Sequence, residues 1–217
     1  MSISRNAADY SMIEKRKYEQ KLRAERQEET QRRITEATVA LHQEIGPAHT
    51  TVTAIAERAG VERLTVYRHF PEMSDLLHAC QQHFRAEHPL PAFSAWATIS
   101  NPSERLRVAL TAVYAYYRET EAMTAHILHD SPLMPDLAAI LTGREAYMAA
   151  LHAQLLEGWG FSEAALEMMR AAIGHALDFE TWRSLVRRQG LTNEAAVSLM
   201  VRLATSLAAG EAADVAV

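Results

Sequence analysis

The sequence predicts an all-α protein built in two parts, and three observations carry that expectation. Gly and Pro supply only 8 and 7 of the 217 residues, while good helix formers such as Ala, Leu, Glu, Arg and Met abound. Apolar residues recur at three- and four-residue intervals between stop signals, with no strand-like alternation. Charge is divided unevenly: residues 1–86 hold 13 Lys or Arg against 12 Asp or Glu, and residues 87–217 hold 9 against 15. A mildly basic first part and an acidic remainder suit different partners. With 48% apolar residues there is ample material for a core. The single cysteine, Cys80, excludes an intrachain disulfide framework and a Cys-rich zinc site. No apolar leader and no run of about 18 apolar residues is present, so a cytoplasmic protein with no membrane partner is expected.

Residues 1–28 read as a charged N-terminal arm that frays and becomes helical between Ser11 and Arg26. Glu19–Arg23, Glu28–Arg32 and Glu29–Arg33 place the acid four residues before the base, the favourable order on a helix. Ile34, Ala37, Thr38, Leu41 and Ile45 then mark a helix that Gly46-Pro47 ends. Thr51 is suited to cap a short helix with Val52, Ile55, Ala56 and Ala59 on its apolar face, because its hydroxyl can accept from a free amide of the first turn. Gly60 can take the left-handed conformation that closes this helix. A second short helix follows, from Arg63 to Phe70, with Pro71 behind it. Two helices of about two turns joined by a glycine turn are the helix-turn-helix arrangement. Val66 and Phe70 anchor the second helix inward, leaving Arg63, Thr65, Tyr67, Arg68 and His69 on the outer side and its flanks. Arginine can fork onto phosphate or guanine, a threonine methyl can meet thymine, and Tyr and His can donate to phosphate. The arm's cluster Lys15, Arg16, Lys17, Lys21, Arg23 and Arg26 is either solvated or aligned with DNA phosphates; the five acids of residues 1–28 weaken the second option.

Ile55-Ala-Glu-Arg-Ala-Gly-Val61, then Thr65-Val-Tyr-Arg-His-Phe-Pro71 and Leu76-Leu77, resemble the DNA-binding region of the TetR family of bacterial transcription regulators. The resemblance covers roughly Arg33 to Phe84, and beyond that it is one of architecture. It implies a three-helix helix-turn-helix DNA-binding domain with a connector helix, here residues 29–86. A helical domain that binds a small effector and dimerises would follow, here residues 87–217. It also implies that Thr51 and Thr53 meet phosphates, that Arg63, Leu64 and Thr65 face base edges, and that Tyr67, Arg68 and His69 mostly grip the backbone. Three positions depart from the family pattern. Glu62 stands where a small hydroxyl cap is common, Leu64 replaces a frequent glycine, and Met73 stands where a lysine often touches phosphate.

Ser74 is expected to cap a connector helix through His83. Past His88-Pro-Leu-Pro91, helices are expected over 102–119, 121–130, 135–158, 162–188 and 192–209, with breaks at Ser131-Pro132, Gly158-Trp-Gly160 and Gln189-Gly190. On 162–188 one apolar stripe is Leu166, Met169, Ile173 and Leu177; another is Ala165, Met168, Ala172, Phe179, Trp182 and Val186. A helix apolar on two sides must be covered on both. Together with Ala195, Ala196, Leu199, Met200, Leu203, Ala204, Leu207 and Ala208 of 192–209, it suits a four-helix homodimer interface. Tyr114, Tyr117, His126, Tyr147, His175 and Trp182 are candidates to line an effector pocket, a mix of apolar wall and polar fixers. His126, His129 and Asp130 have near-helical metal-ligand spacing, but such groups on one helix are common by chance, so no metal site is expected. The His175–Asp178 pair has the spacing of an oriented base, yet neither Cys80 nor the serines stand in a nucleophile setting. No nucleotide-binding glycine loop appears, and neither an enzyme nor a cofactor is expected. The residues therefore point to a one-component, operator-binding regulator, most simply a repressor released from a pseudo-palindrome by a small molecule. The alternative is a helical small-molecule-binding protein that has lost specific DNA binding.

Overall fold

The computed structural model describes the backbone of residues 3–160 and 163–214, and the side chains of residues 14, 16–160 and 165–207. The side chains of Lys15 and Ala208 and the start of the expected helix at 162 lie outside what is described. The chain divides into two compact units, Met1–Phe84 and Arg85–Val217. Both are helical, and no strand occurs among the described residues. No helix among them is long and apolar enough to cross a membrane.

In the first unit, α1 is one helix of 43 residues, Ile3–Ile45. It therefore begins well before the expected start between Ser11 and Arg26. No Gly or Pro interrupts it, and intrahelical ion pairs brace it: Lys21 with Glu25 at 3.8 Å, and Arg32 with Glu29 at 2.6 Å and Glu36 at 2.5 Å. These are not the expected pairs, since Arg32 takes Glu29 and leaves Arg33 to turn elsewhere. The threonine hydroxyls of Thr30, Thr35 and Thr38 donate to carbonyls one turn back. Ile34, Ala37, Thr38 and Leu41 are buried, whereas Ile45, at the helix end, is exposed. Behind a 3-10 turn at Pro47–His49 come α2, Val52–Ala59, and α3, Arg63–His69. The helix α4 spans Met73–Glu87, so Ser74 sits inside its first turn rather than capping it, and the helix runs past His83. Leu76, Leu77, Cys80 and Phe84 bury its inner face. Burial pushes the Cys80 thiol up to about 12, and its sulfur faces the Thr35 carbonyl at 3.8 Å.

The second unit contains α5, Pro102–Glu119; α6, Glu121–Asp130; α7, Pro135–Leu155; α8, Glu163–Leu177; α9, Phe179–Arg183; and α10, Asn193–Asp214. The helix α5 packs on α10, which also packs on α8, and α7 covers α8. Trp96, Leu106, Leu110, Leu151, Ile173 and Met200 are among the buried residues between them. Arg105, also buried, ties the loop before α5 to the end of α7 by donating to the carbonyls of Ile99, at 2.9 Å, and Glu157.

The expected single helix over 162–188 is broken. Asp178 leaves the helical region (φ −70°, ψ 136°), and its carboxylate accepts from the Thr181 amide at 2.9 Å. That is an N-cap, and it starts a new helix in a new direction. Beyond α9, residues Ser184–Arg188 form a π-helical turn. The break turns Phe179 and Trp182, 1% and 0% exposed, into their own chain's core. They do not form an outward second stripe.

Candidate nucleic-acid interface

The helix-turn-helix is built from local chemistry. Thr51 has extended backbone and its hydroxyl oxygen accepts from the Ala54 amide at 3.2 Å, which starts α2. Ile55, Ala56 and Ala59 bury the inner face. Gly60 ends the helix at φ 64°, ψ 42°, and the Val61 amide reaches back to the Ala56 carbonyl at 2.9 Å. That is the left-handed closure that favours glycine. Glu62 occupies the cap position of α3, and its side chain makes no capping hydrogen bond; the missing hydroxyl cap is a real departure. Val66 and Phe70 are 2% and 5% exposed and hold α3 against the domain.

What remains outward is a polar rim around an apolar knob. Arg63, Tyr67 and Arg68 are exposed, Thr65 and His69 are half-buried, and Leu64 is 73% exposed. Thr51 and Thr53 are exposed at the start of α2. Burial and the adjacent Arg68 charge hold the His69 imidazole below its usual range, so near neutral pH it offers one N–H rather than a cation. Met73 is exposed at the start of α4, where a thioether cannot neutralise a phosphate.

Arg33 joins this site without a local sequence signal. From α1 its guanidinium donates to the Ala59 carbonyl and, at 3.3 Å, to the Gly60 carbonyl. A cation on the open carbonyls of a helix end is favourable, and here it locks the turn on which α3 pivots. Arg58 adds a two-bond clasp to Glu44 of α1 at 2.7 and 2.6 Å. Spacing gave no signal for either link, because each joins segments distant in sequence. A Cβ at Gly60 would lie 2.8 Å from the Arg33 Nη2 atom. Gly60→Ala is expected to lower stability by about 1–2 kcal/mol through left-handed strain alone, with some of the Arg33 tie lost as well. Gly60→Asn should cost less; urea unfolding of both variants checks the order.

Residues 34–80 match the family model described as bacterial regulatory proteins, tetR family. They span the apolar stripe of α1, both short helices, the Gly60 turn and the buried half of α4. Over these residues the chain is similar to the DNA-binding region of this family. An uncharacterised HTH-type transcriptional regulator of Mycobacterium tuberculosis, represented in two strains, is 29% identical over 139 residues, 64% of this chain and 67% of the relative. A TetR-like transcriptional regulator from Rhodococcus shares the fold with a TM-score of 0.58 and 19% identity, over 83% of this chain and 96% of the other. A second Rhodococcus regulator gives 0.54 and 18% over the same shares. The protein is accordingly a DNA-binding transcription regulator.

The second unit of this regulator holds an open cavity of about 340 Å³, lined by Leu128, Arg144, Met148, His152, Asp178 and Phe179 among others. None of the six effector candidates lines it. Tyr114 and Tyr117 are fully buried, their hydroxyls donating to the carbonyls of Ala176 at 2.9 Å and Leu177 at 2.7 Å. Burial pushes both phenols well above their usual range. Trp182 donates to Asn193 Oδ1 at 3.0 Å, and Tyr147 donates to the Pro91 carbonyl at 2.8 Å. His126 is half-buried, and His175 is exposed. The His175 ring pairs with the Thr181 hydroxyl at 3.0 Å rather than with Asp178. His129 lies against Asp130 at 2.8 Å. Tyr117 meets Phe179 edge-on, ring centroids 5.3 Å apart, so the buried aromatic cluster backs one wall of the cavity. The lining was missed because it draws on α6, α7, α8 and the Asp178 break, none of which is a local signal.

Proposed function

We propose that the protein is a dimeric repressor that a small-molecule effector releases from a pseudo-palindromic operator. The observation that carries this is the exposed face of α3, where Arg63, Leu64, Thr65, Tyr67, Arg68 and His69 surround a helix pinned by Val66 and Phe70. Thr51 and Thr53 would hold phosphates beside it. A twofold pair of such helices reads two half-sites about one DNA turn apart. Support for the pair comes from apolar side chains left outside on two helices in contact: Met168 on α8, and Leu199 and Leu203 on α10, are 55%, 37% and 51% exposed. The occupant of the cavity would be a small, largely apolar molecule, its polar end facing Arg144. Tyr117 and Trp182, which pack on Phe179, would form the rigid wall behind it, with Tyr114 stacked on Tyr117. A differential affinity of about 1–3 kcal/mol between DNA-competent and incompetent states is enough for a switch.

Selection of bound duplexes from a random pool at near-physiological salt tests this reading. The expected result is an enriched site with two inverted half-sites, bound by a particle of twice the 24.2 kDa chain mass. Placed over a promoter, that site should lower transcription when the protein is added. A folded protein that enriches nothing, or that sediments as a single chain, overturns it.

A further inference from the structure

The side of α1 that meets the α2–α3 turn continues far beyond the domain. Arg33 marks that side through its bonds to the Ala59 and Gly60 carbonyls, and Ala37 lies buried beside it. Seven residues are two helical turns. Stepping back in sevens, Arg33 is followed by Arg26, and Ala37 by Thr30, Arg23 and Arg16. The neighbouring column, Leu41 and Ile34, continues as Gln27 and Gln20. A stripe that is apolar where α2 covers it thus becomes a row of hydrogen-bond donors where nothing of the first unit remains to cover it.

The opposite side of the helix is different. Glu14, Glu25 and Glu28 gather there with Lys17, Lys21 and Arg32, Lys21 and Arg32 are held in intrahelical ion pairs, and Glu29, at the edge between the two sides, is taken up by Arg32. Arg16, Arg23 and Arg26 are exposed and form no ion pair with any described residue. Glu19 is the one carboxylate among them in the described stretch. The helix therefore segregates its charge, pairing cations on one side and leaving three guanidinium groups open on the other. At about 1.5 Å per residue, Arg16 stands roughly 25 Å beyond Arg33. Arg16 and Arg23 are about 10 Å apart along the axis, close to three phosphate steps of one DNA strand.

We propose that residues 16–26 of α1 form a second DNA-binding surface, in which Arg16, Arg23 and Arg26 contact backbone phosphates flanking the half-site held by α2 and α3. This rests on α3 engaging that half-site. The row is continuous with the DNA-binding unit through Arg33, it lies on the side of the α2–α3 turn, and its chemistry complements a polyanion. Such contacts add affinity and salt dependence without sequence information.

The test uses the full chain and the Arg16→Gln, Arg23→Gln, Arg26→Gln triple variant, since glutamine preserves helix propensity. The probes are the enriched site with about ten mixed-sequence base pairs on each flank, the same site trimmed of flanks, and a mixed-sequence duplex of about 40 base pairs. Each lost phosphate contact flattens the slope of log K against log salt by about 0.9. The expected loss is close to three units per protomer on the flanked and mixed duplexes, with wild type and variant alike on the trimmed site. The corresponding triple lysine variant should keep most of the slope. An unchanged slope on the flanked duplex, or an equal loss on the trimmed one, overturns the proposal. So does a change in sedimentation without DNA, which would make a second copy of the chain the occupant. Circular dichroism establishes that the variant is folded. If selection enriches no site, the mixed duplex still reports the arginine row, so failure of the operator reading is distinguishable from failure of this one.

Discussion

Replacing Tyr67 and Arg68 together with Ala is expected to abolish operator binding while leaving fold and association intact. Both side chains are exposed on α3, and neither belongs to the buried set that anchors it, Val66 and Phe70. Surface substitutions of this kind change stability by about 0.5 kcal/mol or less. A hydrogen bond to a charged phosphate is worth about 1.5–3 kcal/mol, so two such losses reduce affinity by roughly a hundredfold or more per protomer. A symmetric dimer would lose them twice. Arg68 also carries a countercharge, so its removal should flatten the salt slope by about 0.9 per protomer. Electrophoretic mobility shift on the selected duplex, with a denaturation curve beside it, measures both sides of this expectation. Operator binding that survived in the folded variant would place the recognition surface elsewhere.

The largest stability effect is expected at Trp182. Its ring is 0% exposed and packs on Phe179 and Tyr117 with centroids 5.5 and 5.9 Å away. The Arg187 guanidinium lies over it at 5.7 Å while also holding Glu121 of α6 at 2.5 Å. The indole N–H satisfies Asn193 Oδ1, and the Asn193 amide in turn donates to the Tyr114 carbonyl at 3.2 Å. Trp182→Ala removes an aromatic volume and also strips the half-buried Asn193 amide oxygen of its donor. Phe/Trp→Ala changes in cores cost about 3–5 kcal/mol, and in a protein of this size each kcal/mol shifts the melting temperature by about 2–4 °C. A fall of roughly 6–20 °C is therefore expected, with Trp182→Phe intermediate because it keeps most of the volume. All three tryptophans, Trp96, Trp159 and Trp182, lie in the second unit, so fluorescence of the remaining two follows that unit alone. A Trp182→Ala variant that melts within about 2 °C of the parent would show that the ring does not hold α5, α9 and α10 together.

Much of the DNA-binding unit was legible in the sequence because its signals are local. Thr51 caps, Gly60 turns, and Val66 and Phe70 anchor within about 20 residues, and each follows from side-chain or backbone chemistry that needs no distant partner. The length of α1 was less legible. A polar stretch without apolar periodicity resembles a solvated arm, and only the arrangement of ion pairs along Lys21–Glu36 distinguishes a stable helix from one. Arg33 illustrates the same difficulty: pairing with Glu29 was the local expectation, but the open carbonyls of Ala59 and Gly60 win because the fold brings them within reach.

The second unit shows where local inference ends. An aspartate with apolar neighbours at helical spacing looks like an ordinary interior position, so local pattern alone predicts helix through Asp178. Its role as a cap depends on Phe179 and Trp182 gaining more by turning into the core than by continuing outward. That gain exists only once α5 and α10 are in place to receive them. By itself the sequence determined the helical class, the helix-turn-helix and the residues that face outward from α3, since these follow from periodicity, capping and turn chemistry. Tertiary structure alone decided which aromatic residues became core, where the 340 Å³ cavity opened and which side of α1 carries its open arginines. These depend on which surfaces meet across long sequence separations, and burial acts on surfaces, not on spacing.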